Sequence, residues 1–272
     1  MSGEIIRLEN SHFIMKLTLA KISIICLTFV TFSCSKTEKQ NTDHHDGNIA
    51  YTEAECDFGD IQSPINILSQ RTKGIIKSRI NIEAHCNAVE NKGHTVQIDF
   101  DSTSKLVFGD DQYSFKQLHF HTPSEHQIDG ITYPMEMHMV NVLDNDESDK
   151  PHFLVIGVLF KMGKENKFLN EFINKIPKDS NGLVKVNEAE VNLEDLFGSY
   201  DCEEMKHYFH YNGSLTTPPF TETVSWHVNQ VIFEASEEQI KIMNKIEGNN
   251  ARHIQDLKGR YVEKEDLYVS SN

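Results

Sequence analysis

The segment that decides the fold reads QLHFHTPSEH and occupies residues 117–126. Apolar and polar residues alternate through its first half, which predicts a β-strand. Side chains two positions apart lie on the same face of a strand, so Gln117, His119 and His121 point to one side and the residues between them to the other. Two imidazoles on one face of an otherwise apolar strand must find partners for their ring nitrogens.

A second run, MEMHMVN at residues 135–141, places a third histidine in similar surroundings. Glu136 and His138 share one face of the strand that this run predicts. If the two strands pair, His138 converges with His119 and His121. Three imidazoles are a ligand set of catalytic zinc sites, which leave the fourth tetrahedral position for water.

Two further polar residues support a metal site. A ligating imidazole needs a partner on its other ring nitrogen, which fixes the tautomer and the ring orientation. Gln117 and Glu136 each lie two residues from a histidine and are therefore the predicted partners. A single histidine in an apolar strand is more often a hydrogen-bonded core residue, but three with such partners favour a Zn²⁺ site.

Other segments alternate in the same way and predict a mainly β fold with a largely antiparallel sheet. Turn-forming pairs such as Asp129-Gly130 separate the segments. The predicted strands cover residues 95–101, 113–121, 135–143, 153–160 and 224–233.

Two peripheral helices are predicted. The first covers residues 166–176 and ends before Pro177. The second begins after Ser236, and Gln239 completes the pattern of a capping box. One apolar face of the first helix comprises Phe168, Phe172, Ile173 and Ile176.

The first 34 residues have the pattern of a targeting segment. Met15 is the expected start, because a short basic stretch and the apolar run 22–32 follow it. That run is too short for a membrane-spanning helix, which needs roughly 20 residues. Cys34 directly after the run resembles the lipidated first residue of a bacterial lipoprotein, with plain secretion as the alternative.

These features predict the division of the chain. Residues 1–34 are expected to be an upstream extension plus a signal peptide, residues 35–50 a polar linker, and residues 51–270 a single catalytic domain. The expected location is the periplasm or cell envelope, with a lipid anchor at Cys34 as the only membrane attachment. Both a monomer and a homodimer are compatible with the sequence.

The charge excludes some classes of partner. The chain has 26 basic and 41 acidic residues, which gives a formal charge of −15 at pH 7. Such an acidic chain is a poor match for nucleic acid or for an anionic membrane surface. A charge of this size mostly indicates solubility.

Three cysteines remain after the targeting segment: Cys56, Cys86 and Cys202. An oxidising compartment permits disulfides, but three cysteines cannot all pair within one chain. One disulfide and one buried thiol are expected, and the sequence does not identify the pair.

Several motifs together resemble the alpha-class carbonic anhydrases. Their order is collinear from Gln62 to Arg260, which is most of the chain. The resemblance implies a twisted, mostly antiparallel central sheet with a catalytic zinc ion in a cleft, and the reversible hydration of carbon dioxide to bicarbonate and a proton. The motifs are QSPINI (62–67), NKGHTVQIDF (91–100), QLHFHTPSEH, EMH (136–138), YNGSLTTPPFTETVSW (211–226) and NARHIQDLKGR (250–260).

The same resemblance implies roles for individual residues. His119, His121 and His138 would hold the zinc ion, and a hydroxide on the ion would attack carbon dioxide. Thr216 would orient that hydroxide, because a Thr216 hydroxyl that donates to a buried Glu125 can only accept from the nucleophile.

Further roles follow from the remaining motifs. His94 would carry the product proton to solvent, since a histidine accepts and releases protons near neutral pH. Thr217 would line the bicarbonate position. Apolar walls suit a small neutral substrate, and the implied wall residues are Val140, Val155, Leu215, Val224 and Trp226.

The chain also departs from the family pattern. Secreted bacterial members often pair a cysteine before QSPI with one directly after TTPP, but here Phe220 occupies the second position. Cys56 would then need another partner, for which Cys202 is a candidate. The aromatic N-terminal segment is also short, so whether Tyr51 replaces the usual tyrosine near the threonine gate stays open.

Three alternatives remain at this stage. HFHTPSE also satisfies the first motif of a cupin, in which Glu125 would be a metal ligand, although the glycine of the second cupin motif is absent before His138. A carbonic-anhydrase-like binding domain without activity usually lacks a ligand histidine. A zinc carrier has only the His44-His45-Asp46 run in its favour.

Overall fold

The computed structural model describes residues 59–198, 200 and 202–268, without the side chain of Cys202. The predictions for the targeting segment, the linker, Cys34, Tyr51 and Cys56 lie outside these residues. All described residues belong to the unit Asp46–Asn272. Among them, no helix combines the length and apolar character needed to cross a membrane.

Strands are the main regular structure of the described residues, as the alternating segments predict. In chain order the strands are β1 (Asn66–Ile67), β2 (Lys73–Glu83), β3 (Cys86–Asn91), β4 (Val96–Phe100), β5 (Lys105–Phe108), β6 (Asp111–His121), β7 (Gln127–Ile128), β8 (Ile131–Thr132), β9 (Met135–Leu143), β10 (Phe153–Met162), β11 (Gly182–Lys185), β12 (His207–Gly213), β13 (Val224–Asn229), β14 (Phe233–Ala235) and β15 (Glu263–Tyr268).

The helices are few and short. They are α1 (Lys167–Phe172), α2 (Glu194–Phe197), α3 (Cys202–Met205) and α4 (Glu237–Glu247), with 3₁₀ turns at Ser69–Arg71 and Ile173–Lys175.

Twelve strands form one sheet, in which most neighbouring pairs are antiparallel. The exceptions are the parallel pairs of β10 with β13 and β14, and of β15 with β2. A separate three-stranded sheet contains β1, β7 and β8. The prediction of a mainly β fold with a mostly antiparallel sheet and peripheral helices is confirmed.

Strand β9 lies between β6 and β10 and positions the site. Residues along its whole length pair with both neighbours, and His119 of β6 lies directly opposite His138 of β9. On the other side of β9, Val140 lies opposite Val155 of β10. Residues directly opposite each other on paired strands share a face of the sheet. His119 and His138 therefore lie on the same face as Val140 and Val155.

Alternate residues of β10 enter two apolar clusters on opposite sides of the sheet. Leu154, Ile156 and Val158 belong to the larger cluster, which also packs against α1 and α4. Val155 and Leu159 belong to the smaller cluster on the histidine side. This division is the two-sided burial expected of a central strand.

The prediction of one continuous strand over residues 224–233 is wrong. The strand β13 ends at Asn229, and β14 begins at Phe233. The side chain of Asn229 accepts a hydrogen bond from the backbone of Val231 at 2.7 Å, which bends the chain. Both strands still pair with β10, but the registers differ by two residues. The bend could not be predicted from the sequence, because its residues Val231 and Ile232 are β-branched and favour a strand.

The two predicted helices are present. In α1, Asn166 caps the N-terminus by accepting from Leu169, and the last turn of the prediction is a 3₁₀ turn rather than an α-helix. At α4, Ser236 and Gln239 form both hydrogen bonds of the capping box. The four-residue helices α2 and α3 were not predicted, because so short a segment has no helical period.

Cys86 is a buried free thiol. Burial, followed by the charges of Glu171 and Glu188, raises its pKa to about 12. This agrees with the expectation of one buried thiol. Whether Cys56 and Cys202 pair stays a prediction, because Cys56 and the side chain of Cys202 are not described.

Candidate metal centre

Three imidazoles meet between β6 and β9. The Nε2 atoms of His119 and His121 are 3.1 Å apart. The ring centroids of His138 lie 5.2 Å from His119 and 4.7 Å from His121. One nitrogen from each of the three rings falls within 4.8 Å of the others, which is the spacing of a metal-ligand group.

The geometry fits zinc. With Zn–N bonds of about 2.0–2.1 Å, two nitrogens of a tetrahedral site lie roughly 3.3 Å apart. The observed 3.1 Å between His119 and His121 is close to that value. A cation between the two rings could therefore bind both nitrogens.

Hydrogen-bond partners determine which nitrogen of each ring faces the centre. Gln117 Oε1 lies 2.9 Å from Nδ1 of His119, and Glu136 Oε1 lies 2.9 Å from Nε2 of His138. His119 therefore offers Nε2 and His138 offers Nδ1. The structure thus places Gln117 and Glu136 where the sequence analysis expected partners for the ligands.

All three rings are held in the neutral form that binds a metal. Burial lowers the pKa of His119 well below its usual range, lowers that of His121 to about 4, and lowers that of His138. A neutral imidazole has a free lone pair on one nitrogen, so no proton has to leave before a cation binds.

Glu136 is a fully buried carboxylate behind this centre. Burial opposes its ionisation, yet its interactions and hydrogen bonds with His126 and His138 hold its pKa well below the usual range. Its Oε2 accepts from the backbone N–H groups of Glu125 and His126 at 2.8 Å each. A second cluster with ligand spacing, formed by His126, Glu136 and His138, belongs to this hydrogen-bond network.

The network continues through residues that the sequence analysis did not assign. His126 lies 2.6 Å from Glu136 through Nδ1 and 2.6 Å from the hydroxyl of Tyr211 through Nε2. Tyr211 in turn donates to Ser63 at 3.0 Å. Nothing local in the sequence indicated that Tyr211 and Ser63 would complete the chain.

Glu125 lies beside the three rings but outside the ligand group. Its Oε1 is 3.6 Å from Nδ1 of His121 and accepts from the backbone of Arg252 at 2.9 Å. Burial raises its pKa to about 7, while interactions with His138 and Thr216 oppose the rise. Thr216 therefore lies near Glu125, whose Oε2 has no hydrogen-bond partner among the described residues.

The residues expected to form the substrate wall lie together. Val155, Val224 and Trp226 are buried members of the smaller apolar cluster, and Val140 and Leu215 pack against it. The Trp226 ring stands edge-on to His138 at 4.8 Å and donates to the carbonyl of Ser214. Thr217 is exposed next to the buried Thr216.

His94 lies on an exposed bend directly before β4. Its charge contributes to lowering the pKa of both His119 and His121. Asn250 holds the bend in place, because its side chain donates to the carbonyls of His94 at 2.8 Å and Phe120 at 3.2 Å. Asn250 and Arg252 lie in the NARHIQDLKGR motif, to which the sequence analysis gave no role.

Comparison with known proteins points in one direction. The model of the eukaryotic-type carbonic anhydrases matches residues 46–266. A carbonic anhydrase from Neisseria gonorrhoeae is 35% identical over 218 residues, which cover 79% of this chain and 82% of that protein. Dioscorin DB3L from Dioscorea polystachya is 31% identical over 227 residues and 79% of each chain. The solved structure of the alpha-carbonic anhydrase from Thermovibrio ammonificans with the inhibitor sulfanilamide superimposes with a TM-score of 0.68 at 32% identity, covering 77% of this chain and 89% of that one.

Proposed function

Because the chain belongs to the eukaryotic-type carbonic anhydrase family, we propose that it catalyses the zinc-dependent, reversible hydration of carbon dioxide to bicarbonate and a proton. The observation that carries this proposal is the group of three imidazoles with metal-ligand spacing beside an apolar wall. Membership in this family sets aside the cupin hypothesis.

His119, His121 and His138 would hold the zinc ion. When bound, zinc acts as a Lewis acid that makes water acidic enough to supply a nucleophile at neutral pH. Gln117 and Glu136 keep the ligand rings in the required tautomers, since each occupies the nitrogen that faces away from the centre. The buried negative charge of Glu136 also favours a cation at this position.

Thr216 and Glu125 orient the nucleophile. Arg252 occupies one lone pair of Glu125 and leaves the carboxyl able to accept from the Thr216 hydroxyl. Once Thr216 donates to Glu125, its oxygen can only accept, and an attacking hydroxyl must donate to it. The lone pairs of the nucleophile are then directed at the substrate.

The apolar wall receives carbon dioxide. The substrate is small and uncharged, so it gains from leaving water but offers no strong hydrogen bond. Val140, Val155 and Trp226 lie on three adjacent strands and bring apolar surface next to His138. Thr217 is exposed next to the buried Thr216 and would contact the product bicarbonate before it leaves for solvent.

His94 completes the cycle by taking the product proton to solvent. It is exposed and lies close enough to the centre to influence the pKa of two ligand rings. Its imidazole can accept a proton from water near the centre and release it to buffer.

We also propose that the chain works in the periplasm or cell envelope, as one catalytic domain of residues 51–270 after a signal peptide and a polar linker. Lipid attachment at Cys34 is part of this proposal. Mass spectrometry of the processed protein tests it, because a lipidated Cys34 has a mass that an unmodified N-terminus cannot produce.

Stopped-flow measurement of carbon dioxide hydration, combined with metal analysis, tests the proposed activity. We expect one zinc ion per chain, loss of hydration after chelation, and recovery when zinc is returned. A folded, zinc-loaded protein without hydration activity would contradict the proposal. That result would favour the alternative of a binding domain without activity.

A further inference from the structure

Thr216 and Glu125 together form the gate of the proposed reaction. The turn that follows Thr216 ends in a residue with an unusual backbone conformation. Phe220 is only 2% exposed and has a positive φ of 56°. Bulky side chains rarely adopt this left-handed conformation, and residues held in it concentrate at ligand clamps and active sites. Phe220 lies four positions after Thr216 in the same loop. A contact that fixes the phenyl ring therefore also restricts the backbone that carries the Thr216 hydroxyl.

The ring of Phe220 is buried against a charged group. The guanidinium carbon of Arg252 lies 3.7 Å from the ring centroid, which is the geometry of a cation–π contact. Among the described residues, Phe220 is a member of neither apolar cluster. Its backbone is fixed as well, because its N–H donates to the carbonyl of Thr217 at 2.9 Å and its carbonyl accepts from the Gln62 side chain at 3.2 Å.

Arg252 connects this turn to the other half of the gate. Its guanidinium donates to the carbonyl of Ser63 at 2.7 Å and to Gln62 Oε1 at 2.9 Å. Its backbone N–H donates to Glu125 at 2.9 Å. The main chain of Arg252 therefore binds the Glu125 carboxyl, while its side chain contacts Phe220 in the turn that follows Thr216.

We propose that Phe220 is a positioning residue that stacks on Arg252 and thereby holds the Thr216 hydroxyl in register with Glu125. The contact joins the turn after TTPP to Arg252, whose guanidinium holds Gln62 and Ser63 of the QSPI motif. This inference rests on the proposed function, because it assigns Phe220 to the gate of that reaction.

Two substitutions separate stacking from simple filling of space. Phe220→Leu keeps an apolar side chain but removes the aromatic face, whereas Phe220→Tyr keeps the face. For Phe220→Leu we expect kcat/KM for carbon dioxide hydration to fall roughly tenfold, the scale of a desolvated cation–π contact, with zinc content unchanged. Phe220→Tyr should stay within about twofold of the unsubstituted protein.

Amide hydrogen exchange on the zinc-free protein gives a readout that does not depend on activity. We expect Phe220→Leu to accelerate exchange at the N–H groups of Leu215, Phe220 and Arg252, which donate to Thr221, Thr217 and Glu125. Exchange in β9 and β10 should stay unchanged, and Phe220→Tyr should match the unsubstituted protein at all of these positions.

The outcomes distinguish this inference from the proposed function. Unchanged exchange at the three amides in Phe220→Leu would overturn the inference, as would faster exchange throughout the sheet or equal losses in Phe220→Tyr. If the unsubstituted, zinc-loaded protein shows no hydration, the proposed function fails, but the exchange comparison still decides whether the stack holds the turn.

Discussion

At the scale of single residues, the candidate centre depends on how each imidazole is held. Gln117 and Glu136 each occupy one ring nitrogen and leave the other pointing to a common centre. Because burial keeps the three rings neutral, the site is ready for a cation without a prior loss of protons. Three predictions belong to this scale.

His94→Ala tests the proton-transfer role. Proton release follows the hydration step, so loss of the exposed imidazole should leave kcat/KM unchanged. We expect kcat to fall about tenfold or more in weak buffer, because proton release becomes limiting. Added imidazole should restore part of the rate in stopped-flow assays. A variant with full turnover in weak buffer would remove the role.

Glu125→Gln tests whether this residue orients the nucleophile or binds the metal. The amide keeps the shape of the side chain but can no longer serve as an acceptor alone. We expect zinc content to stay at one per chain and kcat/KM to fall roughly 100-fold, the scale of a misplaced reacting group. Loss of zinc together with activity would instead make Glu125 a ligand.

Val155→Tyr tests the apolar wall. Val155 is 2% exposed and lies opposite Val140 and Trp226 on the neighbouring strands. A larger ring should occupy the space offered to carbon dioxide, so we expect kcat/KM to fall roughly 100-fold with zinc retained. Val155→Ala, which only enlarges the space, is the matched control. Equal loss of zinc and hydration in Val155→Tyr would refute the wall assignment.

At the scale of elements, strand pairing brings the ligands together and α4 secures the segment beside them. The C-terminal residue of α4, Glu247, accepts from the backbone of Val96 at 3.0 Å, two residues after His94. The capping box at Ser236 fixes the other end of the helix. The site is therefore supported from an element that contributes no ligand to it.

Glu247 should make stability depend on pH. Burial raises its pKa from 4.5 to about 8, although hydrogen bonds with Val96, Thr95 and Thr122 oppose the rise. Between these values the folded protein keeps a proton that the unfolded chain has lost, so the free energy of unfolding decreases as pH rises and levels off above about 8. The contribution is at most about 5 kcal/mol.

Glu247→Gln removes this titration while keeping a side-chain acceptor for Val96. Urea unfolding of the zinc-free protein between pH 5 and 9 should show a smaller decrease in stability for the variant, with the difference largest at alkaline pH. Parallel pH profiles for the two proteins would mean that Glu247 does not carry an abnormal proton.

At the scale of the whole molecule, a chain of this size can bury a large core without disulfides, and the sheet does so on both of its faces. The acidic surface, with a formal charge of −15, favours solubility rather than binding to polyanions. Cysteine therefore has no obligatory part in folding, and its pairing becomes a separate question.

Peptide mapping without reductant tests the pairing. Cys86 is buried with a pKa of about 12, so it should resist alkylation in the native protein and react once the chain unfolds. We expect Cys56 and Cys202 to appear in one disulfide-linked peptide. Free thiols at both would rule out that pair, and Cys86 in a disulfide would contradict the structure.

The sequence by itself determined the local features of this protein. Alternation predicted the strands β4, β6, β9, β10 and β13 but not the other strands of the twelve-stranded sheet. The spacing of His119 and His121 placed two rings on one face, because this property depends only on neighbouring residues. The bend between Asn229 and Phe233 escaped this reasoning, since a side chain turning back to its own backbone leaves the apolar pattern intact.

Only the tertiary structure decided which distant residues complete the site. Arg252 reaches Glu125, Tyr211 reaches His126, and Phe220 stacks on Arg252 across long stretches of chain. The physical reason is that strand register and loop path set these contacts, and neither is a property of the local sequence. Periodicity identifies the face on which a side chain lies, whereas the partner that satisfies it depends on the packing of the whole sheet.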